Sequence, residues 1–258
     1  MPQALSVISR VSTILNMFSE AKPLLMIEEI AATLEVSPAS AYRYVSEMTQ
    51  AGMLTRSSGC YRLGPKIIEL EYLVRRYDPV IQAGSELMNA LSDITGCSVL
   101  LCNVYDQTIV NVVHVVGRNP VALTYTRGMP MPLFRGSQAH VILAHMDRRK
   151  LKRIFEVSLN NAALAPDVKA IGVDWQAFTK TLRQIRSRGY YISRGELNTG
   201  VDGIAAPVFG ENQEILGSLV LGINTASPPA MEEAMLIKLV TQNAMEISSR
   251  IQHIRVMP

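Results

Sequence analysis

Ser137 and His140 stand three residues apart, the spacing that puts a nucleophile and a base on one helix face. No Gly-x-Ser-x-Gly turn surrounds the serine and no acid is evidently placed to orient the imidazole, so a hydrolytic enzyme is not the expected reading. Glu196, Asp202 and His114 are further groups able to move protons, but they are scattered among loop-like segments, where such side chains are ordinarily solvated or structural. Metal binding is not expected either. His140 and His145 are five apart, whereas four would put two ligands on one face. Cys60, Cys97 and Cys102 form no Cys-x-x-Cys pair and fit reduced, structural thiols. No cofactor is expected.

A second kind of chemistry, hydrogen bonding to base edges and phosphates, is available near the N-terminus. Val7, Val11, Ile14, Leu15 and Phe18 recur on one helix face up to the break Ser19 to Pro23, and Ile27, Ile30, Ala31 and Leu34 mark a second, short helix. Ser37 is suited to cap a third helix and Pro38 to open it; Ala41, Val45 and Met48 face its core side, and Ala51-Gly52 ends it. That leaves Ser40, Tyr42, Arg43 and Ser46 facing outward, able to reach into a major groove, with Ser37, Pro38 and Ala39 at the helix entry. Residues 53–56 and 60–63 read as two strands around Ser57-Ser58-Gly59, a wing with Arg56 and Ser58 at its edge and one side (Leu54, Cys60 or Tyr61, Leu63) packed on the helices. Helix, turn, helix and hairpin make a winged helix-turn-helix. From Pro65 to Tyr77 follows a helix apolar almost all round, with more apolar surface than one small module can cover; it predicts contact with a partner subunit or the next domain.

These patterns suit a chain of 258 residues with 48% hydrophobic and 18% charged residues, long enough for a small module and a larger one. The net charge of +3 permits nucleic-acid binding without arguing for it, but between Pro38 and Lys66 only Glu47 opposes four cations. No run approaches a membrane span, and Met1-Pro-Gln-Ala-Leu-Ser has no leader pattern, so a cytoplasmic address is expected.

Beyond residue 80, a helix is expected to about residue 96, then one hairpin from Ser98–Tyr105 and Thr108–Val116 and another from Gly203–Phe209 and Ile215–Gly222. Their apolar runs predict an antiparallel sheet covered on both faces by helices after Leu133, at 174–188 and at 229–253, an α+β fold. Between the hairpins a Gly/Pro-rich loop runs into a helix at Gly136, Ser137 and Gln138, whose free N–H groups would cradle a carboxylate, with Arg135 or Arg194 assisting.

The chain resembles the isocitrate lyase regulator (IclR) family of bacterial transcription factors. The resemblance rests on Ser40, Tyr42 and Arg43; on the Glu47 to Leu54 exit; on Gly59-Cys-Tyr-Arg-Leu-Gly64 before a Leu-rich helix; and on Arg188-Gly-Tyr190, Gly195-Glu-Leu197 and Gly203 to Val208. It implies a winged helix-turn-helix over 1–64, a dimerising linker helix over 65–79 and a GAF-like effector domain over 80–258. The implied partners are double-stranded operator DNA, a small organic acid, and a second copy in a dimer or dimer of dimers. By the same resemblance Leu123, Met131, Ser193, Val201, Gly203, Val220 and Gly222 line the effector pocket. Gly203, Val220 and Gly222 stand where members binding very small oxoacids carry Cys or Ser. The expectation is therefore a roomier, less polar pocket for an aromatic or other medium-sized acid. A sensing adaptor that binds protein instead of DNA is the alternative reading, but it has no use for the wing.

Overall fold

The computed structural model describes residues 6–254; the first five residues, read above for a leader, lie outside them. The chain divides into two compact units between Arg76 and Tyr77.

The first unit has α1 (Val7–Asn16), α2 (Ile27–Leu34), α3 (Pro38–Gln50), β1 (Leu54–Ser57), β2 (Cys60–Leu63) and α4 (Pro65–Tyr77). Ser6 and Ser37 cap α1 and α3 by accepting from the N–H of Ser9 and Ser40, a device that contributes about 1 kcal/mol each. Ile14, Ile30, Leu34, Ala41, Val45, Met48 and Leu54 close one core. β1 and β2 pair from Leu54↔Leu63 to Ser57↔Cys60, so the turn is two residues, Ser58 and Gly59. Both have positive φ, 50° and 83°, the type I′ geometry that matches strand twist. Leu25 exchanges two backbone hydrogen bonds with Tyr61 and adds a one-residue third strand to the wing, a pairing between residues far apart in the chain. The packed side of the hairpin is Leu54 and Tyr61, whereas Leu63, expected on that side, is exposed.

The second unit has α5 (Pro79–Thr95), β3 (Ser98–Tyr105), β4 (Thr108–Val115), β5 (Pro130–Met131), α6 (Gly136–His145), α7 (Arg148–Leu159), α8 (Ala165–Ile171), α9 (Trp175–Arg188), β6 (Tyr191–Arg194), β7 (Val201–Phe209), β8 (Ile215–Asn224) and α10 (Glu233–His253). The strands form one antiparallel sheet in the order β5-β4-β3-β8-β7-β6. Alternation along the strands divides it between two cores. Leu100, Cys102, Ala205 and Val220 pack with α6 to α9, and Val99, Leu101, Ile204, Leu219 and Leu221 pack with α5 and α10. Gly84 lets α5 lie close on the sheet, since a Cβ there would come within 2.7 Å of Leu101. The expected α+β architecture is thus present, with α8, β5 and β6 as additional short elements. Among the described residues no helix is long and apolar enough to cross a membrane.

Candidate functional site

On α3 the inward residues are Ala41, Tyr44, Val45 and Met48. Tyr42, Arg43 and Ser46 are exposed on the opposite face, as are Ser37, Pro38 and Ala39 at the entry and Arg56 and Ser58 on the wing. Ser40 is half-buried, its hydroxyl taken by Ser37 at 3.1 Å, so it belongs to the cap more than to the outer face. Arg56 has no ion-pair partner among the described residues, whereas Lys66, at the end of the cationic stretch, pairs with Glu69 at 2.9 Å. Arg43 lies 5.4 Å from the ring centroid of Tyr44, and Arg10 lies 5.3 Å from the same ring and donates to its hydroxyl. Hydrogen bonding from Arg43 first and Arg10 second holds that hydroxyl below its usual pKa. Tyr44 therefore positions the guanidinium of Arg43. Its place at i+3 from Ala41 marked it in the sequence as inward-facing, but not as a neighbour of Arg10.

In the second unit nine of the expected effector residues surround one cavity: Leu123, Met131, Ser137, Gln138, Ser193, Val201, Gly203, Val220 and Gly222. The register explains the convergence. Ser193, Gly203 and Gly222 sit side by side across β6, β7 and β8, and Val220 follows two residues before Gly222 on the same face. Ser137 and Gln138 enter from the first turn of α6. Leu100, Asn111, Tyr125, Leu197, Asn198 and Asp202 also line the space and were not foreseen from sequence; Leu100 and Asn111 carried a signal in strand alternation. Ser137 and Ser193 are buried residues, and their hydroxyls converge over Gly203 in the cavity lining. Gln138 donates to Asn111 at 2.7 Å, and Asn111 to the Tyr125 carbonyl at 2.9 Å, so the amide of Gln138 is fixed by the protein itself.

Two expectations require correction. The missing side chains of Gly203 and Gly222 do not open space. A Cβ on Gly203 would lie 2.6 Å from the Ser137 hydroxyl and 2.9 Å from that of Ser193, and one on Gly222 would lie 3.3 Å from Val121, so neighbours occupy both gaps. The cavity encloses only about 50 Å³, room for a few waters. Nor do the arginines and Gly136 serve the cavity. Arg135 donates to the Glu196 carbonyl at 2.6 Å, and Arg194 pairs with Asp202 at 2.7 Å and with Glu233. The Gly136 N–H donates to the Glu196 carboxylate at 2.9 Å. Glu196 thus occupies the first position of the helix-end cradle, leaving the N–H groups of Ser137 and Gln138.

Glu196 also accepts from Tyr191 at 3.0 Å; burial, then the carboxylate charge, pushes that phenol up to about 12, so it stays a donor. His140 stacks on Tyr191 at 4.3 Å and lies 3.8 Å from Glu196, so an acid does stand beside this imidazole. Its Nδ1, however, donates to the Gly136 carbonyl at 2.9 Å, and no hydrogen bond joins the ring to Ser137. This is a helix-end clamp and not a nucleophile-base pair. Asp202 is held by Arg194, whereas His114 lies on β4, where burial lowers its pKa. Burial likewise pushes the Cys102 thiol up to about 11, beside Ser218, and raises Cys97, which suits structural thiols.

Comparison with known proteins matches residues 7–58 to the IclR helix-turn-helix domain and residues 73–249 to the bacterial transcriptional regulator IclR C-terminal domain. The Pca regulon regulatory protein of Pseudomonas putida is 20% identical over 84% of this chain and 74% of its own length. The regulator KdgR of Escherichia coli is 25% identical over 88% and 84%. Among solved structures, an IclR homolog complexed with 4-hydroxybenzoate from Microbacterium hydrocarbonoxydans shares the fold, with a TM-score of 0.75 at 17% identity, covering 96% of this chain and all of that one. The IclR transcriptional regulator from Alicyclobacillus acidocaldarius does so with the same TM-score at 18% identity and the same coverage. With a helix-turn-helix ahead of the matching C-terminal domain, the chain belongs to the IclR family of DNA-binding bacterial transcriptional regulators.

Proposed function

We propose that operator affinity is set by a small organic acid in the cavity between α6 and the sheet. Its carboxylate lies between the Ser137 and Ser193 hydroxyls and against the free N–H groups opening α6; its apolar part faces Leu100, Leu123, Met131 and Val220. The observation that carries this reading is the convergence of the Ser137 and Ser193 hydroxyls over Gly203 in the lining of a small cavity whose other walls are largely apolar, since a few placed polar groups in an apolar pocket orient a ligand. A cavity of about 50 Å³ takes a compact oxoacid with least rearrangement. An aromatic acid, suggested by the 4-hydroxybenzoate in the related structure, requires Leu197 and Asn198 to give way. Those two residues sit in the turn between Gly195 and Gly200, held by bonds from Thr124 to Asn198 at 2.8 and 2.6 Å.

A thermal-shift screen separates the classes. At 100 times its dissociation constant a ligand adds about 2.7 kcal/mol, which for a unit of this size is a shift of roughly 5–10 °C. A shift with hydroxybenzoates establishes the opened cavity; a shift with glyoxylate or pyruvate alone establishes the compact one. No shift with any organic acid refutes the effector assignment.

In this reading two copies of α3 face a two-fold operator, and α4 joins the copies. Ile68, Leu70, Tyr72, Leu73 and Val74 are all exposed in the single chain, more contiguous apolar surface than a monomer ordinarily leaves open. Leu70→Glu with Leu73→Glu is expected to convert the protein to monomer in sedimentation or light scattering while leaving its helical content intact. An unchanged oligomer would remove α4 from the contact. Ligand coupling of about 1–3 kcal/mol would change operator affinity roughly 5- to 150-fold.

A further inference from the structure

The far end of α6 borders a second, larger recess. Ala144 and Met146 from the end of α6, Leu151 from α7 and Leu182 from α9 form a buried apolar floor, and Arg148, Arg183 and Arg186 stand around it. Its volume is about 310 Å³, within the range of small-molecule sites. None of the three guanidiniums has a carboxylate partner among the described residues; Arg183 donates only to the Thr179 carbonyl at 3.2 Å. The surrounding charge is lopsided. Residues 147–188 carry ten Lys and Arg against four Asp and Glu, in a chain whose net charge is only +3, so the cationic excess lies on this helical layer. Three like charges around an apolar floor repel one another and gain by taking up an anion.

We propose that this recess is a second ligand site, taking a small organic dianion with an apolar body, of the aryl phosphate or aromatic dicarboxylate class. Two charges match the arginine cluster, whose forked donors suit phosphate and carboxylate oxygens, and the apolar body covers Leu151 and Leu182. A DNA backbone would meet the cations but has no use for a recessed apolar floor, so the observations favour the small molecule. The site is separate from the cavity at the start of α6: Ser137 and Ala144 lie seven residues apart on that helix, about 10 Å along its axis. A ligand at Ala144 and Met146 therefore bears on the helix that presents Ser137.

Titration of the full chain by calorimetry or amide NMR with phenyl phosphate and phthalate tests the assignment, with inorganic phosphate and benzoate as controls. Saturable one-to-one binding of either dianion is expected, with inorganic phosphate and benzoate each at least tenfold weaker. The R183Q/R186Q variant changes only exposed side chains; it should bind at least tenfold more weakly with an unchanged melting temperature, and operator affinity should stay within twofold. S137A should leave this binding unchanged. The proposal is overturned by absence of saturable binding, by equal affinity for inorganic phosphate, by full binding in R183Q/R186Q, or by loss of binding in S137A. It is equally overturned if the double variant loses operator affinity, which would make this face a DNA contact.

Discussion

Arg43→Ala is expected to abolish sequence-specific operator binding while leaving the fold intact. Arg43 is exposed on the outer face of α3, opposite Val45 and Met48, so within the fold the substitution gives up its contact with the Tyr44 ring while the apolar core packing stays in place. A bidentate Arg contact to guanine is worth about 1–3 kcal/mol per half-site, so two half-sites under the proposed dimer would give roughly 30-fold to more than 10⁴-fold weaker binding. Arg43→Lys should recover little of this, because an ammonium lacks the planar fork that stacks at Tyr44. Arg56→Ala, on the wing, should instead weaken specific and random DNA alike and reduce the salt dependence of binding by about one phosphate contact per wing. Fluorescence anisotropy at fixed and varied salt distinguishes the two. If Arg43→Ala binds the operator as the parent does, α3 does not read bases, and a sensing adaptor acting through a protein partner becomes the better account of this unit.

The parts of the fold carried by local chemistry were legible in the sequence. α2 and α3 followed from the spacing of Ile27, Ile30, Leu34, Ala41 and Val45 and from the Ser37-Pro38 entry; the wing turn followed from Ser58-Gly59. The parts made by distant pairing were not. Leu25 meets Tyr61 through two backbone bonds, and nothing in either residue's neighbourhood announces the other. Glu196 caps α6 from sixty residues away, so the helix entry that looked free for a ligand already holds one carboxylate. Glycines mislead for the same reason. Gly203 and Gly222 are absences of side chain in the sequence, but in three dimensions Ser137, Ser193 and Val121 fill what they vacate. Cavity membership of Ser193, Gly203, Gly222 and Val220 came from family resemblance, which encodes the strand register that composition and periodicity leave undetermined. The arginine recess, by contrast, had a plain signal in the run of cations from Arg148 to Arg153 and from Lys180 to Arg188.

Gly203→Ala should remove the response to ligand without touching DNA binding. Gly203 has no left-handed backbone to protect, so alanine is tolerated by φ, and the effect comes from one methyl group placed 2.6 Å from the Ser137 hydroxyl and 2.9 Å from that of Ser193. Neither serine can retreat freely. Ser193 is fixed in register on β6, and α6 is held by Val141, Ile142 and Leu143, all fully buried. The methyl must therefore turn the hydroxyls away or push strand from helix, at a cost of about 1–3 kcal/mol in stability. A carboxylate that loses two charge-assisted hydrogen bonds, each worth about 1.5–3 kcal/mol, binds roughly 10²- to 10⁴-fold more weakly. Gly222→Ala is the matched control: its added methyl meets a Val121 methyl at 3.3 Å, a side chain able to shift, so the ligand should bind within a few-fold of the parent. Calorimetry with the acid giving the largest thermal shift, together with operator anisotropy in its absence, makes the comparison. Retention of full affinity by Gly203→Ala would place the carboxylate elsewhere in the cavity, and equal losses in both variants would mean that the methyl groups act through sheet packing and not through Ser137 and Ser193.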